Sequence, residues 1–305
     1  MLKALRQLAA NRFPRLYHAS RLLSGVPYVR GIPGLTVSLE YPVHGEARWG
    51  YSVPSNPALY KILDAGRSRY AETLRSFLPL AGEFAKFARD ADPARPTSPH
   101  WNNGWLPDLD GIAIYAWLAL QERRLYVEVG SGNSTKFARQ AVITHKRRTQ
   151  IVSIDPQPRA EIDTLCDEVI RSPLEQVDLA IFDRLGDGDV LFIDSSHQSF
   201  MGNDVTVFFL EILPKLKPGV LVGVHDIFLP DDYQPAWRER YYNEQYLLGC
   251  WLLGGAKGMD LALPAHFASR DAELSKLLAP IYACEGMTGI TPYGGAFWFK
   301  TTGLQ

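Results

Sequence analysis

The chain has 305 residues, enough for one large α/β domain with an elaborated N-terminal region or for two modest domains. Hydrophobic residues make up 46% and charged residues 21%. The net charge of −1 and a pI near 6.7 exclude a general electrostatic attraction to nucleic acid.

Before Glu40 the chain carries Lys3, Arg6, Arg12, Arg15, Arg21 and Arg30 and no acidic residue. Leu2, Leu5, Ala9, Phe13 and Leu16 can share a helical face opposite those charges. Such a segment suits a helix lying on a membrane surface, or one packed on its own domain or on a second subunit of a homo-oligomer. It lacks an apolar signal core and a cleavage site, so export is not expected. The apolar runs Ile112–Leu120 and Tyr246–Leu253 fall well short of the about 18 residues that cross a bilayer and suit buried helices. Cys166, Cys250 and Cys284 are odd in number, far apart and in no metal-ligand spacing. The expected setting is the cytoplasm with reduced thiols, with peripheral membrane contact through the basic N-terminus as one reading.

Ala58–Arg89 has helical periodicity. Composition then shifts at ADPARPTSPHWNNGWLPD, which predicts a largely helical N-terminal extension over residues 1–105 and a second domain over 106–305. Within the shift, His100–Trp105 reads either as a mobile lid or as a connector held by its two tryptophans. Gly111–Leu120 reads as an apolar helix.

From Leu125 onward, short β-branched strands alternate with helical stretches. Strands are predicted at Leu125–Val129, Gln150–Ile154, Glu168–Arg171, Asp189–Ile193 and Val220–Val224, with two more around Asp260–Leu263 and Gly295–Lys300. Helices are predicted at Thr135–Thr144, Arg159–Cys166, Leu174–Leu185, Asp204–Leu216 and Trp237–Leu253. Near-continuous apolar strands between helices imply a doubly wound, mostly parallel α/β sheet of seven strands, Rossmann-like, covered on both faces.

The first strand runs into Gly130-Ser131-Gly132-Asn133-Ser134, and a helix follows. Glycines let a ligand approach the backbone and the helix start offers free N–H groups, although ordinary tight turns use glycine too. Glu128 lies just before the turn, where a carboxylate can meet a cation. Asp155 ends the second strand, 25 residues after Gly130, about where an acidic residue grips a ribose diol. Together they describe a nucleoside at one end and a positive group at the other. A dinucleotide fingerprint wants Gly or Ala at Thr135, and a pyrophosphate would repel added negative charge; both points favour S-adenosylmethionine over NAD.

Two further strand ends carry polar clusters, Asp194-Ser-Ser-His197 and His225-Asp226, on the same edge as the glycine turn. Asp194 and Asp226 face one another as a candidate Mg²⁺ site of oxygen ligands; the alternative is that they bind cofactor and acceptor directly. His197 and His225 are the candidate proton-transfer residues, an imidazole titrating near about 6.5 when unperturbed. A third metal ligand is not evident. Asp204 is a candidate, although Asn203-Asp204 also reads as a helix cap.

Glu128-x-Gly130-x-Gly132 resembles the first motif of class I S-adenosylmethionine-dependent methyltransferases, with Ser134 where many members have a third glycine. The resemblance runs from about Gly104 to the C-terminus. It implies cofactor contacts from Glu128, Gly130 and Gly132 to the methionine part, from Asp155 on the ribose and from Ser172 near adenine, with Ser131, Asn133, Ser134 and Asp194 as further cofactor-binding residues. The spacing Asp194-x-x-His197 with His225-Asp226 is similar to metal-assisted O-methyltransferases acting on sugars and small molecules. In that subgroup the aspartates hold metal and the histidine is the base, so a small-molecule or glycan acceptor is implied. A nicotinamide-dependent oxidoreductase and a non-catalytic cofactor-binding scaffold are the competing readings.

Overall fold

The computed structural model describes residue 41 and residues 45–303. The chain divides into two compact units, Met1–Gly45 and Glu46–Gln305, and every described element belongs to the second. The basic segment expected to touch a membrane or a second subunit therefore lies outside the described residues, and the expected 105/106 division runs inside the second unit. No helix among the described residues is long and apolar enough to cross a membrane.

Two helices, α1 (Pro57–Asp64) and α2 (Arg67–Phe77), precede the sheet. They bury Leu59, Leu63, Tyr70, Leu74 and Phe77 in the same core as the strands. Helix α3 (Asp108–Leu120) is buried over nearly its whole length, which is why its sequence is apolar on every side. It leads into β1 (Leu125–Val129), all five residues of which are buried, as a central strand with both faces covered demands.

Helix α4 (Asn133–Thr144) and the strands β2 (Gln150–Ile154), β3 (Glu168–Ile170), β4 (Val190–Ile193) and β5 (Leu221–Val224) complete the parallel part. Between β4 and β5 a helix, α5, starts at Asp204–Val207 and continues with a wider turn to Ile212 and a tighter one to Lys215. Strands β6 (Met259–Pro264) and β7 (Phe297–Thr301) close the sheet in the order β3-β2-β1-β4-β5-β7-β6, with β7 antiparallel to both neighbours. This is the expected seven-stranded, doubly wound Rossmann-like sheet. Gly223 on β5 sits opposite Trp298 on β7, where an added Cβ would lie 2.6 Å from the indole ring.

Three helical expectations give way. Arg159–Cys166 forms only a short turn, Asp163–Leu165, because Ile162 is its one buried side chain and a single anchor does not offset helix nucleation. Leu174–Leu185 becomes two tight turns separated near Asp178, whose carboxylate accepts from the Ala180 N–H instead of leaving that group to a helix ladder. Trp237–Leu253 breaks at Tyr241, where φ is 55°, and the true helix, α6, spans Glu244–Leu253.

Candidate active site at the carboxyl edge of the sheet

Parallel register fixes the edge. β1 pairs Val129 with Ile154 on one side and with Ile193 on the other, and β4 pairs Ile193 with Val224. The next residue of each strand therefore emerges in one row: Asp155, Gly130, Asp194 and His225. Backbone bonds extend the row past the strands, from Gly130 N–H to Ile154 O at 2.9 Å, Asp194 N–H to Val129 O at 2.8 Å and His225 N–H to Ile193 O at 2.8 Å. Four residues singled out from sequence thus share one rim.

The glycine turn is braced from within. Gly130 has φ 76°, and Ser131 donates its N–H to Asp155 Oδ2 at 2.7 Å while its hydroxyl meets Ser153 Oγ at 2.7 Å. Asp155 also accepts from the Gln157 N–H at 2.7 Å. Gly132 donates its N–H to Thr135 Oγ1 at 3.1 Å, tying the loop to the first turn of α4. Asn133 is half-buried and Ser134 buried at that helix start.

Glu128 is fully buried and turned inward. One oxygen accepts from the Tyr126 hydroxyl at 2.9 Å and the other from the Thr135 hydroxyl. Burial pushes its carboxyl up to about 7, against hydrogen bonds from Ser134, Thr135 and Tyr126. As placed, it stiffens the strand-to-helix turn. Ser172 lies just past β3, its hydroxyl 3.4 Å from Pro173 O.

Asp194, His197, His225 and Asp226 come together. Asp194 Oδ1 is 3.2 Å from His197 Nε2 and 3.2 Å from His225 Nδ1. Asp226 Oδ2 is 3.4 Å from His197 Nε2, and Asp226 Oδ1 is 3.6 Å from His225 Nδ1. Asp194, His197 and Asp226 each offer a ligand atom, all within 4.8 Å of one another. His197 and Asp226 both hold left-handed backbone angles, φ 61° and 55°, which residues other than glycine seldom adopt.

Two buried acids outside the sequence reading complete the cluster. Glu244, the first residue of α6, faces His197 Nδ1 at 3.0 Å. Asp110 of α3 lies 3.4 Å from His225 Nε2 and accepts from the Gly295 and Ala296 N–H groups at 2.7 and 2.9 Å. Asp110 left a sequence signal, a carboxylate inside an otherwise apolar helix. Glu244 left none. Asp204 is engaged elsewhere: it accepts from the Ser196 N–H and hydroxyl at 2.7 and 2.6 Å, while Asn203 caps α5 through Thr206.

Burial opposes charge throughout this cluster, yet the histidines hold the Asp194 carboxyl below the usual carboxylate range. Asp226 is raised, its burial outweighing the same histidines. Both imidazoles are held well above their ordinary value, since the surrounding carboxylates overcome the cost of burial. Asp194, with 29% of its side chain exposed, is the member most open to solvent.

An aromatic wall flanks the cluster. The Tyr242 ring lies 4.7 Å from that of His197, and Arg240 lies over Trp237 at 4.1 Å. Asp231 and Asp232 belong to the framework: they accept from the Ser55 hydroxyl at 2.5 Å and the Trp49 N–H at 3.0 Å. In the His100–Trp105 segment, Trp101 is buried against Phe137, whereas Trp105 is exposed with Arg159 stacked on it at 4.3 Å.

Residues 127–227, the span from β1 to just past β5, match a family model described as a methyltransferase domain. Among solved structures, the chain is similar to a cmcI structure described as Mg-SAM, at 14% identity, covering 70% of this chain and 87% of that one with a TM-score of 0.36. It is also similar to the plantazolicin methyltransferase BpumL in complex with SAH, at 12% identity, covering 79% and 99% with a TM-score of 0.39. No curated protein sequence matches the chain.

Proposed function

We propose that this chain, whose residues 127–227 match a methyltransferase domain, is a class I S-adenosylmethionine-dependent methyltransferase that methylates a hydroxyl group of a small molecule or sugar. The observation that carries this reading is the row Asp155, Gly130, Asp194, His225. It sets the Asp155 carboxylate and a glycine turn at one end of the rim and a carboxylate–histidine cluster at the other.

Methyl transfer is an in-line displacement. The acceptor oxygen forms a bond to the methyl carbon as the sulfonium–carbon bond breaks and its electron pair returns to sulfur, and the acceptor gives up its proton. The chain's part is to align the oxygen with the methyl and to receive that proton. The acceptor approaches beside Asp194, the cluster member most open to solvent, and its proton passes to the carboxylate cluster. The Tyr242–Trp237–Arg240 wall offers ring faces and a cation to a polyhydroxylated substrate.

The donor set also fits a divalent cation. Asp194 and Asp226 would hold it beside His197, whose ligand atoms lie within reach of one centre. Two buried atoms of the cluster, His225 Nε2 and Glu244 Oε1, have no hydrogen-bond partner among the described residues, so the polar group is not self-satisfied. When bound, such an ion lowers the acidity barrier of an alcohol oxygen.

The test is calorimetry with S-adenosylhomocysteine and with NAD, followed by transfer of labelled methyl from S-adenosylmethionine to a panel of sugars and phenols. S-adenosylhomocysteine is expected to bind and NAD to stay free, with label recovered in an acid-stable ether. Binding of NAD alone would hand the site to an oxidoreductase.

A further inference from the structure

We infer that His197 is a metal ligand rather than the proton acceptor, and that Asp194, His197 and Asp226 select a first-row divalent transition ion over Mg²⁺. This rests on the metal-assisted reading above and sharpens it.

Both ring nitrogens of His197 are committed. Nδ1 faces Glu244 Oε2 at 3.0 Å, and Nε2 is aimed between Asp194 and Asp226 at 3.2 and 3.4 Å. A base must come within hydrogen-bond reach of the acceptor proton. The imidazole is 6% exposed, with the Tyr242 ring 4.7 Å away, so a substrate hydroxyl has no open approach to either nitrogen.

The surroundings of His197 are those of a ligand. A histidine that donates its Nδ1–H to a carboxylate has its tautomer and ring orientation fixed, and its Nε2 lone pair is presented to a metal. Glu244 is fully buried, and the start of α6 holds His197 a second time: the Asn243 and Glu244 N–H groups both donate to the His197 carbonyl, at 2.9 and 3.2 Å. Two of the three residues that converge, His197 and Asp226, hold left-handed backbone angles.

Charge points the same way. Asp110, Asp194, Asp226 and Glu244 surround two imidazoles, four acids to two bases. A buried excess of acids of that kind favours a bound cation. Mg²⁺ prefers oxygen donors and retained waters, whereas imidazole nitrogen suits the later first-row ions.

The experiment uses the full chain, freed of metal by chelation and dialysis and titrated separately with CoCl₂ and MgCl₂. Calorimetry reads affinity and the visible absorption of Co²⁺ reads its ligand field. Co²⁺ is expected to bind about 100-fold more tightly than Mg²⁺. His197→Ala is expected to erase that preference and alter the absorption bands. Glu244→Gln keeps the ring and the helix and is expected to weaken Co²⁺ by about 10–100-fold. Calorimetry with S-adenosylhomocysteine on the same samples reads the cofactor half. Equal affinity for the two ions, or Co²⁺ affinity and bands unchanged in both variants, overturns the ligand assignment. If S-adenosylhomocysteine still binds in that case, the methyltransferase reading stands; its failure to bind the unsubstituted chain would strike that reading instead.

Discussion

Gly130 and Asp194 meet backbone to backbone: a Cβ built on Gly130 would lie 1.7 Å from the Asp194 carbonyl oxygen. The residue that opens the glycine turn thus sets the seat of the residue that centres the polar cluster. Only glycine satisfies both this approach and the φ of 76°. Gly130→Ala is expected to remove S-adenosylhomocysteine binding and to lower stability by about 2–4 kcal/mol, measured by calorimetry and denaturant unfolding. A well-folded alanine variant that binds normally would contradict the packing described.

Asp155 braces the turn through the Ser131 N–H at 2.7 Å. Losing a charged acceptor of this kind costs about 1.5–3 kcal/mol, so Asp155→Ala should weaken S-adenosylhomocysteine by roughly 10–100-fold. Asp155→Asn retains an oxygen that accepts from Ser131 and should lose less. Equal losses in the two variants would mean that charge toward the ribose, rather than the brace, sets affinity.

Asp194 is placed to separate chemistry from cofactor binding, since its side chain meets two imidazoles and no part of the glycine turn. Asp194→Asn should lower turnover by about 100-fold or more while S-adenosylhomocysteine affinity stays within about threefold. Exhaustive chelation of the unsubstituted chain should give the same pattern. Full activity after chelation would take the metal out of the proposed reaction.

Glu128 makes stability depend on pH. Its carboxyl is raised by burial from 4.5 to about 7 in the folded chain. The folded state therefore binds this proton more tightly than the unfolded state does. The stabilisation is complete below about pH 4.5 and is lost as pH rises through 7. Relative to Glu128→Gln, the native chain should lose on the order of 3 kcal/mol across that window, read from denaturant midpoints at successive pH values. A constant difference between the two proteins would show that the carboxyl ionises in the fold as freely as in water.

The parallel strands were legible because they are short, mostly apolar and rich in β-branched residues, and the row of rim residues follows from their carboxyl ends. Asp194, His197, His225 and Asp226 stood out for the same reason: polar side chains at the end of an apolar strand have few structural uses. Glu244 could not be foreseen, because it reaches His197 only through a break at Tyr241 that converts one expected helix into a turn and a new helix start. Glu128 was legible as a residue and not as a contact. Its inward turn depends on Tyr126 and Thr135, which compete for a carboxylate that the sequence alone assigns to a ligand. The weak helix at Arg159–Cys166 failed for want of buried anchors, a quantity that periodicity does not measure, and Leu174–Leu185 was interrupted by the Asp178 side chain.

During synthesis, β5 emerges some seventy residues before the strand that finally lies alongside it. Until Phe297–Thr301 arrives, the Leu221–Val224 backbone has a partner on one side only, and Trp298 is not yet there to meet Gly223 and Phe192. A nascent chain therefore carries an open sheet edge directly beneath His225 and Asp226, at the stage when such edges invite pairing with a neighbour. Ribosome-bound chains stalled before residue 297 should accordingly be the aggregation-prone species, and the rim chemistry should switch on only once the last strand has slotted in.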